Sequence, residues 1–268
     1  MDSLHMRTSS QARTGTASDR MVLRIDQLGR DMEADNGGAV PSTSSVPTWF
    51  NNATGFDLET TGVDPFTDVP VSYALVSSQS VVSGLCNPGF PIPPSATAIH
   101  GITDMMVNSA PTLRTVITYL TMVITSRSVI VGMNLKYDLT MLDSCLRRFG
   151  FRLSPLPPVV DVLVLDRHYV PYRKGSRTLS ALCKAYTVVL NTAHNAIADV
   201  RASMNILRAM FQRYPALSAR PLRSLYATQA NWHYGWAAHY SSYRVSQGLS
   251  ALDQREYCWP VMPANLPS

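Results

Sequence analysis

Four acidic residues and one histidine stand in three short segments of this chain. Asp57 and Glu59 lie in GFDLETTG, Asp138 in VGMNLKYDLTML, and His194 and Asp199 in HNAIADVRAS. Only 15% of the residues are charged, yet these carboxylates lie inside or beside apolar stretches. An ionised carboxylate near an apolar core is costly unless a cation compensates its charge. The set therefore predicts a site for a hard metal cation with a general base beside it, which suits phosphoryl transfer to water.

Each segment also has a purely structural explanation. Asp57 and Glu59 share one face if they lie on a strand, but a two-letter acidic pattern is common and also fits a turn or a helix cap. Asp138 and Asp199 fit the first turns of helices, where acidic side chains are favoured. A single histidine is more often structural than catalytic. The presence of all three segments, each at the edge of a predicted element, favours one shared site.

Apolar periodicity indicates the elements that must position these residues. Strands are predicted at 53–57, 69–77, 80–86 and 129–132, with a strand or a strand-to-helix junction at 159–165. Helices are predicted at 113–124, from about 137, at 179–186 and at 196–211. Strands that give way to alternating strands and helices predict an α/β domain of three layers. The Pro-rich segment 87–103 is predicted to be an irregular surface loop that can line a cleft.

Composition divides the chain into three regions. Residues 1–46 are polar and are expected to be a disordered tail, residues 47–213 carry the domain, and residues 214–268 form a helical extension and tail. In the extension, six residues recur at spacings of three and four: Leu225, Gln229, Trp232, Trp236, Tyr240 and Tyr243. This pattern predicts a helix with an aromatic stripe, and packing onto the domain is favoured over a stacking surface for bases. The segment from Cys258 onward is expected to be extended.

Charge and cysteine content indicate which partners and which kinds of site the protein can have. The net charge of +5 mildly favours a polyanionic partner, and a basic run at Arg173, Lys174 and Arg177 either contacts phosphates or forms a solvated loop. The four cysteines lack metal-ligand spacing and fit reduced thiols in the cytoplasm. The chain has no apolar run of about 18 residues, so no membrane partner is expected.

The three acidic segments resemble the motifs of the DEDDh branch of DnaQ-like 3′–5′ exonucleases, which include polymerase proofreading subunits, ribonuclease T and oligoribonuclease. The second segment departs from the family pattern at Met133, where His is common, and at Tyr137, where Phe is common. Asn195 stands where the sister branch carries Tyr. ATAIHGITDMMV, VVDVLVLDR and RTLSALCKAY are also similar to the family, so the resemblance covers about residues 52–211. The C-terminal LYATQANWHYGWAAHYSSY is similar to extensions in actinobacteria and their phages.

This resemblance implies a ribonuclease H-like three-layer α/β fold, with a mixed five-stranded sheet flanked by helices and a C-terminal helical extension. It implies that the four carboxylates hold two Mg²⁺ or Mn²⁺ ions, with Asp57 bridging them. His194 would take a proton from the attacking water, and the product would be a nucleoside 5′-monophosphate from the 3′ end. The predicted substrate contacts are Thr60, Thr61, Ile99, His100 and Asn134. For Ile99, packing in the core is the alternative.

The preferred hypothesis is therefore a metal-dependent 3′–5′ exonuclease acting on single-stranded DNA or frayed ends, with DNA favoured over RNA. Its pathways would be DNA replication and repair, and proofreading would need a separate DNA polymerase as partner. One alternative is an RNA-trimming exoribonuclease or oligoribonuclease that uses the same site. The other is a catalytically silent module that binds nucleic acid or docks on a polymerase, although the intact carboxylates and histidine argue against it.

Overall fold

This computed structural model describes residues 46–190 and 193–265, and a mixed sheet forms its middle layer. The five strands are β1 (Thr54–Thr60), β2 (Pro70–Val76), β3 (Val81–Leu85), β4 (Ile130–Gly132) and β5 (Val159–Asp161). Their order across the sheet is β3-β2-β1-β4-β5, with β1 antiparallel to β2 and parallel to β4. The predicted mixed five-stranded sheet is confirmed. The predicted tail at residues 1–46 lies outside the described residues, apart from Val46.

Helices cover both faces of this sheet. They are α1 (Pro94–His100), α2 (Asp104–Val107), α3 (Leu113–Thr125), α4 (Leu135–Arg147), α5 (Val162–Tyr169), α6 (Leu179–Ala185), α7 (Ala196–Arg213), α8 (Pro215–Ser218) and α9 (Leu222–Ser246). Apolar residues of α3 and α4 pack against one face of the sheet, and those of α5, α6 and α7 pack against the other. The arrangement is the predicted three-layer α/β domain.

Strand β1 separates its apolar and acidic side chains onto opposite faces. Phe56 and Leu58 pack into the core beside α3 and α4, so Asp57 and Glu59 face the layer that contains α7. The prediction that this strand ends at residue 57 is wrong. Pairing with β2 continues past residue 57, through Glu59 to Thr60, which lies opposite Pro70. Both acidic residues are therefore fixed by the sheet itself.

Helix α7 approaches β1 closely because of a glycine. A Cβ atom added at Gly55 would lie 2.3 Å from Cγ1 of Val200 on α7. Real carbon atoms do not approach so closely, so any larger residue would push the helix away from the strand. This contact sets the distance between the acidic face of β1 and the first turn of α7.

The segment 87–103 is not the irregular loop that was predicted, because it contains helix α1. Pro94 occupies the first helical position, where proline is well tolerated. Gly101 ends the helix with a φ of 74°, a left-handed conformation that glycine adopts without strain. Prolines that suggested an irregular segment thus start a helix instead.

The other predicted elements lie close to their expected positions. Helix α4 begins two residues earlier than predicted, directly after Asn134. The segment 159–165 is a strand-to-helix junction, in which Asp161 ends β5 and caps α5 by accepting a 2.9 Å hydrogen bond from the amide of Leu163. The four cysteines all lie in the described part of the chain and are free thiols, as expected. Within the described residues, no helix has both the length and the apolar character needed to cross a membrane.

Helix α9 packs onto the domain, as predicted, at the edge strand β5. The side chain of Gln229 acts as a strand partner there, donating to the carbonyl of Val159 at 2.9 Å and accepting from the amide of Asp161 at 2.8 Å. The buried stripe of the helix is formed by Leu225, Gln229, His233, Ala237 and Ser241. Most of the predicted aromatic stripe lies beside this buried line.

The C-terminal segment does not extend away from the domain. Met262 is buried, and its amide donates a 2.9 Å hydrogen bond to the hydroxyl of Thr140 on α4. Trp259 and Val261 pack against the core on the same side. Three apolar side chains in a short segment gain free energy by leaving water, which is why the segment lies on the domain. The predicted boundary between residues 213 and 214 coincides with the end of α7 and stays a prediction.

Candidate active site

Three carboxylates meet where the end of β1 faces the start of α7. Asp57, Glu59 and Asp199 each offer one oxygen atom, and these atoms lie within 4.8 Å of one another. Strand β1 supplies the first two from one face, and the first turn of α7 supplies the third. We call this group the carboxylate cluster. The predicted juxtaposition of the first and third motifs is present.

Asp138 stands beside the carboxylate cluster but outside its set of ligand atoms. It lies in the first turn of α4, is 5% exposed, and accepts a 3.1 Å hydrogen bond from the amide of Leu58. Its carboxylate therefore holds the segment of β1 between Asp57 and Glu59. Its charge also raises the pKa of Asp57, which places it within electrostatic reach of the cluster.

The carboxylates of the site destabilise one another when they are ionised. Burial, followed by the charges of Asp138 and Glu59, raises the pKa of Asp57 well above its usual value. Burial and the charge of Asp199 raise the pKa of Glu59 to about 7. Burial also raises the pKa of Asp199, although His194 acts in the opposite direction. A site of this kind binds either protons or a cation.

The donor set fits a hard divalent cation. Within the described residues, no lysine or arginine forms an ion pair with the carboxylate cluster, and Oδ1 of Asp199 is buried without a hydrogen-bond partner. A buried carboxylate oxygen without a partner is costly, and a metal ion would remove that cost. Ligands that are oxygen atoms only suit Mg²⁺ and Mn²⁺ better than zinc.

His194 lies at the open side of this cluster. It is exposed, and its φ of 61° places its backbone in the left-handed region. Its amide donates a 3.1 Å hydrogen bond to Oδ2 of Asp199. The next residue, Asn195, caps α7 by accepting a 3.2 Å hydrogen bond from the amide of Ala198. The histidine is therefore held beside the cluster through its backbone, while its imidazole faces solvent.

The loop after β1 is held by hydrogen bonds of Thr60, Thr61 and Tyr137. Thr60 donates to the carbonyl of Gly62 at 2.8 Å and lies 3.3 Å from the hydroxyl of Tyr137. The Tyr137 hydroxyl also donates to the Gly62 carbonyl. Thr61 is 1% exposed and donates to Asp68 at 2.8 Å, so its side chain shapes the loop.

The hydroxyl of Tyr137 was not predicted to have this role. The sequence marks the position as a departure from the family pattern, since Phe is common there. That departure is the signal that could have revealed the contact, because a half-buried hydroxyl needs a partner.

Helix α1 carries the predicted residues Ile99 and His100 to the same region. Ile99 is 57% exposed, so packing in the core does not explain it. His100 accepts a 3.0 Å hydrogen bond from the amide of Ile102 through Nδ1, and its imidazole lies within reach of the main chain of Thr60. Burial lowers the pKa of His100, and nearby His194 acts in the same direction. The imidazole of His100 therefore lies near His194 and the end of β1.

Asn134 is exposed at the start of α4, with a left-handed φ of 60°. Its amide donates a 2.9 Å hydrogen bond to the carboxylate of Asp161. Sequence reasoning missed Asp161, which is 1% exposed and whose charge acts on Asp138. A carboxylate that directly follows two buried valines was the available signal.

The basic run after α5 is largely occupied within the chain. Arg173 and Arg177 both bind the buried carboxylate of Asp166, so they form part of the core and not a solvated loop. Tyr186 donates a further 2.8 Å hydrogen bond to the same carboxylate. Of the three basic residues, Lys174 alone stays exposed without a carboxylate partner among the described residues.

Comparison of the sequence with known proteins shows the family to which this chain belongs. A family model described as exonuclease matches residues 54–207, which contain the carboxylate cluster. The chain is 30% identical over 167 residues to the PolC-type DNA polymerase III of Oceanobacillus iheyensis, covering 59% of this chain and 11% of that protein. It is 26% identical over 183 residues to the 3′–5′ exonuclease DinG of Staphylococcus saprophyticus, covering 66% of this chain and 20% of that protein.

Solved structures give the fold. Escherichia coli exonuclease I in complex with a dA16 oligonucleotide superimposes with a TM-score of 0.55 and 22% identity, over 62% of this chain and 42% of that one. Exonuclease I from Methylocaldum szegediense gives a TM-score of 0.52 and 26% identity, over 62% and 41%. The predicted fold is confirmed, while this chain spans less than half the length of these proteins.

Proposed function

The chain belongs to the exonuclease family whose model spans residues 54–207, as its three acidic motifs predicted, and from this premise we propose that it is a metal-dependent 3′–5′ exonuclease. Its substrate would be single-stranded DNA or the frayed end of a duplex. The observation that carries the proposal is the carboxylate cluster, whose three ligand atoms lie within 4.8 Å of one another. A buried, unpartnered oxygen of Asp199 in that cluster adds to it.

The proposed metal ligands are Asp57, Glu59, Asp138 and Asp199, which would hold two Mg²⁺ or Mn²⁺ ions. When bound, the ions supply positive charge that stabilises the attacking and leaving oxygens of an in-line displacement. Such ions also replace the protons that the raised pKa values of Asp57 and Glu59 favour. The site is thus complete only when the cations are present.

His194 is the proposed general base. Its imidazole takes a proton from the attacking water while the water oxygen bonds to the 3′-terminal phosphorus atom. The bond from phosphorus to the preceding 3′-oxygen breaks, and that oxygen receives a proton from solvent. The product is a nucleoside 5′-monophosphate. The backbone hydrogen bond from His194 to Asp199 keeps the base beside the cluster throughout.

The residues around the cluster would hold the terminal nucleotide. We assign contacts to Thr60, to the exposed side chains of Ile99 and Asn134, and to the imidazole of His100. Thr61 would act through the loop that its side chain holds. An aliphatic side chain such as that of Ile99 makes apolar contact with the face of any base, which suits an enzyme that removes nucleotides without regard to sequence.

The proposal includes a location in the cytoplasm, roles in DNA replication and repair, and proofreading only together with a separate polymerase. The matched PolC-type relative is named as a DNA polymerase, and this chain spans 11% of it. The proposed polymerase partner rests on that relationship alone.

A nuclease assay with end-labelled oligonucleotides tests the proposal. Matched DNA and RNA strands, labelled at the 3′ or the 5′ end, would be incubated with Mg²⁺, Mn²⁺ or EDTA. We expect the 3′ label to be released first as a mononucleotide, from DNA faster than from RNA, and only with a divalent cation. Faster release from RNA would favour the exoribonuclease alternative. If purified protein with Mn²⁺ released no mononucleotide from either strand, the proposal would fail in favour of a silent binding module.

A further inference from the structure

The aromatic side chains of α9 form a stack at the protein surface. The ring centroids of Trp236 and Tyr240 are 5.2 Å apart with planes 14° from parallel, and those of Tyr240 and Tyr243 are 6.4 Å apart at 21°. Tyr240 is 36% exposed and Tyr243 is 54% exposed. Among the described residues, Tyr243 stacks on Tyr240 alone. We call these three rings the aromatic stack, and its Tyr243 end is open to a further ring.

Arg167 of α5 covers the other end of the aromatic stack. The central guanidinium carbon lies 3.3 Å from the centroid of the Trp236 ring. Within the described residues, this guanidinium forms no ion pair and no hydrogen bond, unlike that of Arg173 on the Asp166 carboxylate. An arginine that is held on a ring with free N–H groups is suited to bind a phosphate.

Helix α9, which carries the aromatic stack, is joined through Gln229 to the edge of the sheet that carries the active site. β1, β4 and β5 are parallel, so their carboxyl ends lie at the same edge. The carboxylate of Asp161, at the end of β5, accepts a hydrogen bond from the amide of Asn134. The main-chain amide of Asp161 donates a 2.8 Å hydrogen bond to the side-chain oxygen of Gln229 on α9. The charge of Asp161 acts on both Asp138 and Arg167. Asp161 therefore lies within electrostatic reach of both Asp138 and Arg167.

We propose that the aromatic stack and Arg167 bind single-stranded nucleic acid upstream of the 3′ end that enters the active site. The inference rests on the proposed function and adds a second contact region to it. Aromatic rings bind bases of any sequence by stacking, and an arginine beside them binds the phosphates that join those bases. A protein partner would bind the aromatic rings through apolar contact alone and would not use the guanidinium of Arg167. The positive charge of that guanidinium therefore favours a polyanionic ligand. The three rings lie outside the family match at 54–207 and belong to the extension, whereas Arg167 lies within the match.

Binding of labelled oligothymidylate by the full chain tests this inference. Strands of about 3 and about 20 nucleotides would be compared by fluorescence anisotropy in EDTA, where hydrolysis is blocked, because stacking grooves span roughly 4–16 nucleotides. We expect wild type to bind the longer strand more tightly. The double variant Tyr240→Ala/Tyr243→Ala should weaken binding of the longer strand about 10-fold and leave the shorter strand unchanged. Arg167→Met should reduce the salt dependence of binding the longer strand by about one charge.

Tyr234→Ala is the matched control. Tyr234 lies on the same helix and is 37% exposed, but its ring contacts Tyr257, 5.5 Å away, and not the aromatic stack. We expect this variant to bind both strands as wild type does. The inference is overturned if the double variant binds the longer strand like wild type, if Tyr234→Ala causes the same loss, or if both strands weaken equally.

Mononucleotide release from the short strand with Mn²⁺ separates the two proposals. If release occurs but the preference for longer strands survives the double variant, the inference fails and the proposed function stands. If no release occurs and the double variant still removes that preference, the proposed function fails and the aromatic stack stands as a binding surface.

Discussion

Two buried acidic centres of this protein differ in the groups that balance their charge. Asp166 is fully buried, and burial alone would raise its pKa, but hydrogen bonds from Arg173, Tyr186 and Arg177 lower it below its usual range. The carboxylate cluster, in contrast, has raised pKa values and a buried oxygen without a partner. Buried charge is thus compensated within the chain at one centre, whereas the other centre has no compensating cation among the described residues.

The contrast separates a structural carboxylate from a functional one without reference to motifs. Both centres contain aspartates beside apolar residues, so burial does not distinguish them. The partners do, because a chain that needed Asp57 only for folding would gain stability by pairing it with an arginine or by making it apolar. A group of ionisable residues that is kept unpaired points to a ligand. Four substitutions test this distinction.

Asp57→Asn should have the largest effect on activity. It removes the carboxylate whose pKa is raised by burial and by Asp138, Glu59 and Asp199, and with it a proposed metal ligand. We expect mononucleotide release to fall at least ~1000-fold, because the cations stabilise both reacting oxygens. The melting temperature of the metal-free protein should stay the same or rise. Asp253→Asn, at an exposed carboxylate that pairs with Arg255, should leave mononucleotide release unchanged.

Asp166→Asn should have the opposite effect, with a lower melting temperature and nearly unchanged mononucleotide release. It leaves Arg173 and Arg177 partly buried without their anion, which costs about 3 kcal/mol of unfolding free energy. A loss of this size lowers the melting temperature by ~6–12 °C in a chain of this length. Activity per folded molecule should stay within about 2-fold of wild type, measured well below the melting temperature. A stable variant with lost activity would contradict the assignment of Asp166 to folding.

Gly55→Ala should disturb the geometry of the cluster without changing its charge. The added methyl group would meet Val200, so α7 and its Asp199 must move away from β1. We expect a destabilisation of ~1–3 kcal/mol and an activity loss of about 10- to 100-fold, since small misplacements of reacting groups are costly. Gly235→Ala is the control, because nothing lies within 4 Å of its added methyl. Urea denaturation should show that this control is as stable as wild type or more so.

Glu59→Gln should have the smallest of the four effects, and it tests whether the stability of the metal-free protein falls as pH rises. The pKa of Glu59 is raised from 4.5 to about 7 by burial and by Asp199. The folded state therefore binds this proton more tightly than the unfolded state does, and the resulting stability is fully present below pH 4.5 and lost as pH rises through about 7. Metal-free wild type should melt at a lower temperature at pH 8 than at pH 5, and Glu59→Gln should reduce that difference by ~2–4 °C. An unchanged difference in differential scanning calorimetry would contradict the account.

The sequence predicted what depends on local patterns. Alternation along β1 placed Asp57 and Glu59 on one face, because side chains of a strand alternate. Capping and spacing placed Asp138 and Asp199 in the first turns of α4 and α7. Four of the five catalytic predictions thus rest on strand and helix periodicity, which neighbouring residues determine.

Contacts between distant segments could not be predicted in the same way. Gln229 binds the main chain of β5 some 68 residues earlier, and no pattern of either segment encodes that pairing. The same holds for Met262, whose amide binds Thr140 across 122 residues. The hydroxyl of Tyr137 reaches Gly62 only once α4 has packed beside β1. Such contacts depend on the assembled fold, since the groups that satisfy each polar atom come from elsewhere in the chain.

The number of Mn²⁺ ions bound per chain tests the central claim most directly. Free Mn²⁺ would be followed by electron paramagnetic resonance while wild type and Asp57→Asn are titrated at pH 8, above the pKa of about 7 of Glu59. We expect two bound Mn²⁺ ions per chain for wild type, and fewer than one for Asp57→Asn. Equal binding by the two proteins, or no binding by wild type, would contradict the assignment of the carboxylate cluster as a metal centre.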